Sequence, residues 1–300
     1  MRPATLALDI GGTKVAYGLV PDDAPHEIIG AGRLPSLAAE RHTLAQVEEA
    51  VRVALSAAGG MEVVRCGVGA PGVVRDGEIV SAGDTMPGWA GTDVVGTVRR
   101  LTGLPVACHN DVRVWAFGEH HLGAGEGADG RVLYLSLGTG VGGAIVDGQE
   151  LLDGPTGTAG ESAHLICADL DGFAVDCEAA ASGTGLTAYY NARSGRPPVD
   201  LPEIVARVRD GERLATTVLE GNLAGFGRAV GALVTLLDLS GIVLGGGVGA
   251  IGELVRAPVA RGVREGALAV HADIPVRTTT LGPTAPLVAA AAYARARAQE

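Results

Sequence analysis

The sequence has 300 residues, of which 47% are hydrophobic and 19% are charged. This length is about twice that of a usual domain, and the apolar content is sufficient for buried cores, which excludes a disordered chain and a small disulfide-held scaffold. The formal net charge of −11 opposes binding to nucleic acids and to anionic membranes. We therefore expect small molecules as partners.

Cysteine spacing and the amino-terminal segment indicate the compartment. The four cysteines, at positions 66, 108, 167 and 177, form no C-x-x-C pair, as is typical of proteins in a reducing cytosol. Apolar runs stop short of the roughly 20 residues of a membrane-spanning helix. Asp9 interrupts the first run before it reaches the length of a signal peptide. We expect a soluble, cytoplasmic protein.

The first part of the chain alternates predicted strands and helices. A buried strand over 5–10, a glycine turn and a second apolar run over 15–20 form a strand–turn–strand unit. Apolar spacing then predicts further elements. These are helices over about 44–58, 93–101 and 111–121, and strands over 63–68 and 105–108.

The strand–turn–strand pattern restarts at Val132, with strands over 132–137 and 141–146. Its recurrence predicts two related half-domains, separated by the glycine-rich segment 123–130. We assign a smaller unit to 1–122, on which a helix over about 285–300 packs, and a larger unit to 123–284. Other predicted elements are helices over 201–208, 222–237, 249–259 and 285–299, and strands over 241–244 and 274–277.

The first turn places a carboxylate, Asp9, at a strand end, close to Gly11, Gly12, the Thr13 hydroxyl and Lys14. Main-chain amides exposed by glycines can bind phosphate oxygens, and the carboxylate can hold a hydrated Mg²⁺. These glycines join two strands and do not open a helix, so the turn is not a P-loop. Taken alone, it is explained equally well as a plain hairpin with a solvated aspartate.

A second turn, formed by Gly138, Thr139 and Gly140, also joins two predicted strands, which argues against a Rossmann motif. Two matching turns suggest a clamp around one polyphosphate. A third glycine cluster follows a buried strand, and by itself it indicates only a turn. The absence of side chains at Gly246 and Gly247 would let a flat base rest on the main chain.

Eight short blocks occur in the order found in ROK proteins (repressors, open reading frames, kinases), and the chain resembles that family from residue 5 to about 295. The blocks are 9–14, 69–72, 87–89, 110–111, 138–143, Glu161 with His164, 181–183 and 245–247. The resemblance implies an α/β fold shared by sugar kinases, actin and heat-shock ATPases. In that fold a duplicated ribonuclease-H-like core forms two lobes with a central cleft.

The resemblance also implies an enzyme that phosphorylates a sugar with ATP and Mg²⁺, with glucose as the default acceptor and glucose 6-phosphate as the product. Asp111 matches the general base, which accepts the hydroxyl proton while the oxygen attacks the γ-phosphate. The first and second turns, with Gly246 and Gly247, would bind the nucleotide. Relatives are commonly oligomeric, so we expect a homodimer or homotetramer.

Four residues match sugar-binding positions of the family: Asn110, Glu161, His164 and Glu178. A carboxylate can accept hydrogen bonds from two adjacent hydroxyls, which suits a pyranose. A fifth position differs from the family, because Asp84, shifted by one residue, or Thr85 replaces the usual asparagine of Asn-x-Pro-Gly-Trp. N-acetylmannosamine, fructose, allose and a cyclitol therefore remain alternative acceptors.

A further departure concerns zinc. Many ROK kinases hold a structural Zn²⁺ with one histidine and three cysteines, but here the C-x-C-G segment after His164 is missing and Asp176 takes the place of the last cysteine. Cys167 and Cys177 could form a different site with His164, although two thiols and one imidazole are a weak ligand set. We predict no structural zinc. Ala163 replaces the glycine before the histidine, which predicts a different loop backbone.

Two non-kinase functions were weighed against this interpretation. A ROK repressor carries an additional helix-turn-helix, for which no room remains before the strand at residue 5, and the negative charge opposes DNA binding. A sugar sensor without catalysis would need no base. Asp111, together with both phosphate turns, therefore favours the kinase.

Overall fold

The computed structural model describes residues 1–36, 43–82, 86 and 88–298. The chain forms two compact units. Sequence analysis did not separate the segment Asp153–Thr158 from the second unit, to which both of its flanks belong. The first unit comprises Met1–Glu126, Asp153–Thr158 and Thr280–Glu300, and the second comprises Gly127–Leu152 and Ala159–Thr279.

The first unit is built on a five-stranded sheet. Its elements up to residue 126 are β1 (Arg2–Ile10), β2 (Lys14–Pro21), β3 (Ile29–Pro35), α1 (Thr43–Ser56), β4 (Met61–Ala70), β5 (Val73–Arg75), β6 (Glu78–Ser81), α2 (Val94–Thr102), β7 (Val106–Asn110) and α3 (Asp111–Leu122). The strand order is β3-β2-β1-β4-β7. β1, β2 and β3 are antiparallel neighbours, whereas β4 and β7 continue the sheet in parallel.

The second unit repeats this arrangement. Its elements are β8 (Arg131–Leu137), β9 (Val141–Asp147), β10 (Glu150–Leu151), β11 (Ile166–Ala168), β12 (Ala174–Asp176), α4 (Cys177–Ala181), α5 (Gly183–Ser194), α6 (Leu201–Arg209), α7 (Arg213–Leu237), β13 (Leu239–Gly245), α8 (Gly246–Gly249), α9 (Glu253–Gly266) and β14 (Val276–Thr278). The strand order β10-β9-β8-β13-β14 matches that of the first sheet. The predicted duplicated α/β fold is confirmed.

Each unit has its own apolar core. In the first, Leu6, Leu8 and Ile10 of β1 alternate onto one face of the sheet and pack with Val47 and Val51 of α1. The second core is formed in the same way by β8, β13, α7 and α9. Within the described part of the chain, no helix is both long and apolar enough to cross a membrane.

The last helix, α10 (Ala285–Arg297), is rich in alanine and almost entirely buried in the first unit. It approaches β4 so closely that a methyl group on Gly67 would overlap the carbonyl oxygen of Ala290. A methyl group on Gly118 of α3 would likewise overlap Ala289. Small residues on all three elements therefore set the distance between this helix and the sheet.

Two predicted helix boundaries are wrong. α7 begins at Arg213, well before the predicted start at Asn222, which lies inside the helix. Oδ1 of Asn222 accepts a hydrogen bond of 2.8 Å from the Leu170 amide and supports a neighbouring loop. The helix predicted over 249–259 is divided into α8 and α9, since Gly252 between them has a φ of 88°.

Replacing Gly67 should test the close approach of α10. We expect Gly67→Ala to lower the free energy of unfolding by about 1–3 kcal/mol, the usual cost of overpacking. Gly241→Ala is the matched control, because it also lies in a strand and its methyl group would meet side chains only at 3.8 Å. Equal losses in urea denaturation of the two variants would contradict this packing.

Candidate active site

The carboxyl ends of three parallel strands bring Asp9 and Asp111 to the same edge of the first sheet. β4 lies between β1 and β7, with Gly69 paired to Asp9 and Ala70 paired to Asn110. A methyl group on Gly69 would lie 3.6 Å from Oδ1 of Asp9 and 3.5 Å from Cα of Asp111. Atoms of the predicted magnesium-binding aspartate and of the predicted base therefore both lie close to Gly69.

Asp111 is the first residue of α3 and is half-buried. Its Oδ1 accepts a hydrogen bond of 3.0 Å from the Val112 amide. The positive end of the helix dipole favours a negative charge at this position. The carboxylate is therefore held at the end of a rigid element, as a general base requires.

Asn110 caps the same helix. Its Oδ1 accepts from the Arg113 amide at 3.2 Å, and its Nδ2 donates to the Gly72 carbonyl at 3.0 Å. The cap fixes the side chain and leaves the second hydrogen of Nδ2 for a sugar oxygen. A capping role and the predicted sugar contact are compatible.

Asp9 is a partly buried carboxylate. Burial raises its pKa to about 6, and the nearby Lys14 ammonium partly opposes this shift. Among the described residues, no hydrogen-bond donor contributes to its stabilisation. A buried anion with so little compensation is costly. Mg²⁺ is commonly bound by one or two carboxylates with water and substrate phosphates, so this residue fits the predicted metal.

The first glycine turn is a tight connection between β1 and β2. The Gly11 amide donates to the Lys14 carbonyl at 2.8 Å. Ser36, at the end of β3, donates from its hydroxyl to the Gly11 carbonyl and from its amide to the Thr13 carbonyl. The predicted residues, with Gly12 among them, are therefore held on a supported turn, from which Lys14 is exposed.

The second glycine turn joins β8 and β9. The Gly138 amide donates to the Gly140 carbonyl at 2.9 Å, and the Gly138 carbonyl accepts from the Gly183 amide at 2.7 Å. The second bond ties the turn to the beginning of α5, where Ser182 accepts from the Gly185 amide. Thr139 lies at the tip of this turn. The turn is thus supported by a helix N-terminus, a common setting for anion binding.

The third glycine cluster is also adjacent to β8. Gly246 has a φ of 74°, and a methyl group there would overlap the Leu137 carbonyl. Both conditions require glycine. By contrast, the space around Cα of Gly138 and Gly247 is open. The predicted nucleotide-binding glycines of the second unit therefore gather at one end of its sheet.

Three predicted sugar-binding residues lie together in the second unit. The Glu178 amide donates to the Ala163 carbonyl at 3.0 Å, and Glu161 and His164, both exposed, lie on the same loop as Ala163. Oε2 of Glu178 accepts from the Val141 amide at 3.0 Å. The side chain thus also borders the second glycine turn, which sequence analysis did not predict. Ala163 adopts no left-handed conformation.

Asp84 and Thr85 lie outside the described residues. The nearby Trp89 is buried, and its Nε1 donates to the Pro71 carbonyl at 3.1 Å. Its observed role is therefore in packing, where its side chain is tied to the 69–72 block.

The altered zinc region forms the β11–β12 hairpin. Cys167 and Cys177 are buried free thiols, whereas His164 is exposed. In the part of the chain that the structure describes, no group of three or more His, Cys, Asp or Glu side chains is arranged to hold a metal ion. The weak His164–Cys167–Cys177 alternative is therefore not formed in these residues, and the absence of structural zinc stays a prediction.

Sequence analysis missed a set of charged residues beneath Asn110. Asp153 lies 2.9 Å from Nη2 of Arg113 and 3.0 Å from Nε2 of His109. Asp153 is distant in the chain from His109 and Arg113, and the three residues form no local motif. The one sequence signal for this cluster is Arg113, which lies between two valines in the helix predicted over 111–121.

Taken together, the duplicated sheets and the glycine turns at their strand ends define a phosphotransferase of the sugar-kinase fold class. The chain belongs to the ROK family, whose model matches residues 5–297. It is 31% identical over 280 residues to an N-acetylmannosamine kinase of Escherichia coli, with 90% of this chain and 91% of that protein covered.

Two solved structures are also similar. A ROK family glucokinase from Streptomyces griseus, in complex with glucose and AMPPNP, has a TM-score of 0.81 at 29% identity, over 98% of this chain and 100% of that chain. A ROK hexokinase from Thermus thermophilus has a TM-score of 0.79 at 30% identity, over 98% of both chains. The chain is a sugar kinase.

The raised pKa of Asp9 predicts a pH-dependent cost to folding. The pKa is about 6 in the folded state against an ordinary value of 3.8, so the folded state binds more protons between these values and loses stability as pH rises through them. Asp9→Asn cannot ionise. Its stability relative to wild type should therefore increase from pH 4 to pH 7, by at most about 3 kcal/mol.

Urea denaturation of both proteins at pH 4 and pH 7 measures this difference. The asparagine side chain does not titrate, so its other effects on stability are the same at pH 4 and pH 7. The informative quantity is therefore the change, between the two pH values, in the stability difference between the variant and wild type. A difference that does not change with pH would show that Asp9 titrates normally.

Proposed function

We propose that this sugar kinase transfers the γ-phosphoryl group of ATP to a hydroxyl of a hexose, with conversion of glucose to glucose 6-phosphate as the leading reaction. The observation that carries the proposal is the pairing of Asp9 and Asp111 on either side of Gly69. One carboxylate is suited to a metal and the other to proton transfer. The glucose and AMPPNP in the Streptomyces griseus relative support the acceptor and the donor.

In the proposed reaction, Asp111 accepts the proton of the attacking sugar hydroxyl. The sugar oxygen forms a bond to the γ-phosphorus, and the bond from that phosphorus to the bridging oxygen of ADP breaks. No covalent enzyme intermediate is required. The enzyme's contribution is position and electrostatics, which is consistent with a base fixed at a helix start.

The nucleotide would be bound by main-chain amides of the glycine clusters. Mg²⁺ carried with the nucleotide would supply positive charge to its phosphate oxygens, and Asp9 would hold it through water. Lys14 adds the cation of the first turn. The proposed nucleotide residues are Asp9, Gly11, Gly12, Thr13, Lys14, Gly138, Thr139, Gly140, Gly246 and Gly247.

The sugar would be held by Asn110, Glu161, His164 and Glu178, with Asp84 as a fifth contact. N-acetylmannosamine is the second candidate acceptor, and the Escherichia coli relative supports it. Fructose, allose and a cyclitol remain further candidates. We also propose that the enzyme is cytoplasmic, acts as a homodimer or homotetramer and binds no nucleic acid, in keeping with its net charge of −11.

An acceptor panel tests the proposed substrate. ADP release is coupled to NADH oxidation, with glucose, N-acetylmannosamine, fructose, allose and a cyclitol supplied in turn with ATP and Mg²⁺. We expect glucose to give the highest kcat/KM. A higher value for N-acetylmannosamine would replace glucose as the acceptor, and no turnover with any of them by folded protein would refute the kinase proposal.

Asp111→Asn tests the base. We expect kcat to fall by about 10²–10⁴-fold, the usual contribution of a general base, while sugar affinity measured by calorimetry is retained. Asp76→Asn is the control, since Asp76 is an exposed turn residue with a φ of 51°, a conformation that asparagine tolerates. An unchanged rate in Asp111→Asn would show that another group takes the proton.

A further inference from the structure

A charged cluster lies in the first unit beneath the start of α3, outside the proposed binding residues. The Arg113 side chain is fully buried and donates to Oδ1 of Asp153 from Nη2 at 2.9 Å and from Nε at 3.3 Å. Nε2 of His109 lies 3.0 Å from the same oxygen. Asp153 is half exposed and belongs to the segment Asp153–Thr158. One carboxylate oxygen thus gathers two side chains from β7 and α3.

The hydrogen bonds of His109 define its tautomer. Nδ1 accepts from the Asn110 amide at 2.7 Å, so it carries no proton. In the neutral ring the proton is therefore on Nε2, which donates it to Asp153. The ring of Tyr293 packs edge-on against the imidazole, with centroids 6.0 Å apart. Both nitrogens are used, and the orientation of the ring is fixed.

The Asp153 carboxylate carries a negative charge, which strengthens its hydrogen bonds with these donors. Partial burial alone would raise its pKa, but the hydrogen bond from His109, followed by the hydrogen bond and charge of Arg113, outweighs this effect and holds the pKa below the usual range. The side chain is therefore ionised at neutral pH. Hydrogen bonds to an ionised acceptor are roughly twice as strong as those between neutral groups.

We propose that Asp153 is a positioning residue for phosphoryl transfer, acting through His109 and Arg113 on the backbone that carries Asp111. This inference rests on the proposed function, in which Asp111 is the base. On the amino-terminal side of Asp111, His109 accepts a hydrogen bond from the Asn110 amide. Arg113, whose amide is bound by the Asn110 side chain, is held by Asp153 on the other.

Such indirect positioning is catalytically relevant because small displacements matter. A shift of about 1 Å in a catalytic group can cost on the order of 10²-fold in rate. The competing interpretation is that Asp153 only stabilises the fold, since leaving the buried Arg113 charge without its partner is destabilising. The two interpretations differ in kcat measured on folded protein.

Three variants isolate the link. Asp153→Asn keeps the shape and removes the charge. Asp153→Glu keeps the charge on a longer side chain. His109→Asn retains an oxygen near the position of Nδ1, which can still accept from the Asn110 amide, but it has no group to reach Asp153.

We expect Asp153→Asn and His109→Asn each to lower kcat on the best acceptor by about tenfold or more, with the KM for the sugar little changed. The double variant should be no slower than the worse single variant, because both changes break one link. Asp153→Glu should recover part of the loss. Asp147→Asn, which removes the exposed ion pair with Arg131, is the control and should retain the wild-type kcat.

Several results would overturn the proposal. One is an unchanged kcat in Asp153→Asn with only a lower melting temperature, and another is losses in the double variant that multiply. If Asp153→Asn does not fold, His109→Asn decides in the same way.

Independently of activity, ¹⁵N NMR of the wild-type imidazole should show His109 protonated at Nε2, and protonation at Nδ1 would refute the link. Absence of turnover in wild type would refute the proposed function and this inference together, whereas wild-type turnover with unaffected variants would refute this inference alone.

Discussion

The arrangement of the first unit depends on the strand register that places Gly69 of β4 beside both Asp9 and Asp111. β4 lies between the two strands that carry Asp9 and lead to Asp111, and its last residues face both. The Asp9 carboxylate and the Asp111 backbone approach the same small space: a methyl group on Gly69 would lie 3.6 Å from Oδ1 of Asp9 and 3.5 Å from Cα of Asp111, at ordinary van der Waals distance from both. The register of the three strands thereby places two acidic residues at one edge of the sheet.

The surroundings of two aspartates in this unit shift their pKa values in opposite directions. Asp153 has two donors and a lowered pKa, whereas Asp9 is partly buried, has only the Lys14 charge to oppose this burial, and has a raised pKa. The first is satisfied by the fold itself. The second has no such donors among the described residues, so a cation bound beside it would remove a cost that folding leaves in place.

Much of the fold and part of the site could be predicted from the sequence, because their signals are local. The strand–turn–strand pattern occurs twice in consecutive residues, and Asp111 follows a strand directly, so the duplicated sheets and the placement of this residue at a helix start required no long-range information. The predicted start of α7 at Asn222 was wrong: this residue lies inside the helix, and its side chain accepts a hydrogen bond from the Leu170 amide, which is remote in sequence.

The same limitation explains the residues that were missed. Asp153 contacts His109 across 44 positions, and Glu178 contacts Val141 across 37. Neither pair has a characteristic spacing, since only the path of the chain through the unit brings its members together. The relevant information lies in which strands become neighbours, and periodicity within a segment does not contain it.

The burial of α10 has a consequence for how the protein is made. This helix occupies the surface of the first sheet at Gly67 and of α3 at Gly118, yet it follows every element of the second unit in the chain. During translation the amino-terminal strands leave the ribosome first, and domains generally fold as units in that order. Here the first unit begins to emerge before the second but is completed after it. The apolar surface of its sheet that α10 covers therefore stays exposed until the whole second unit has been synthesised.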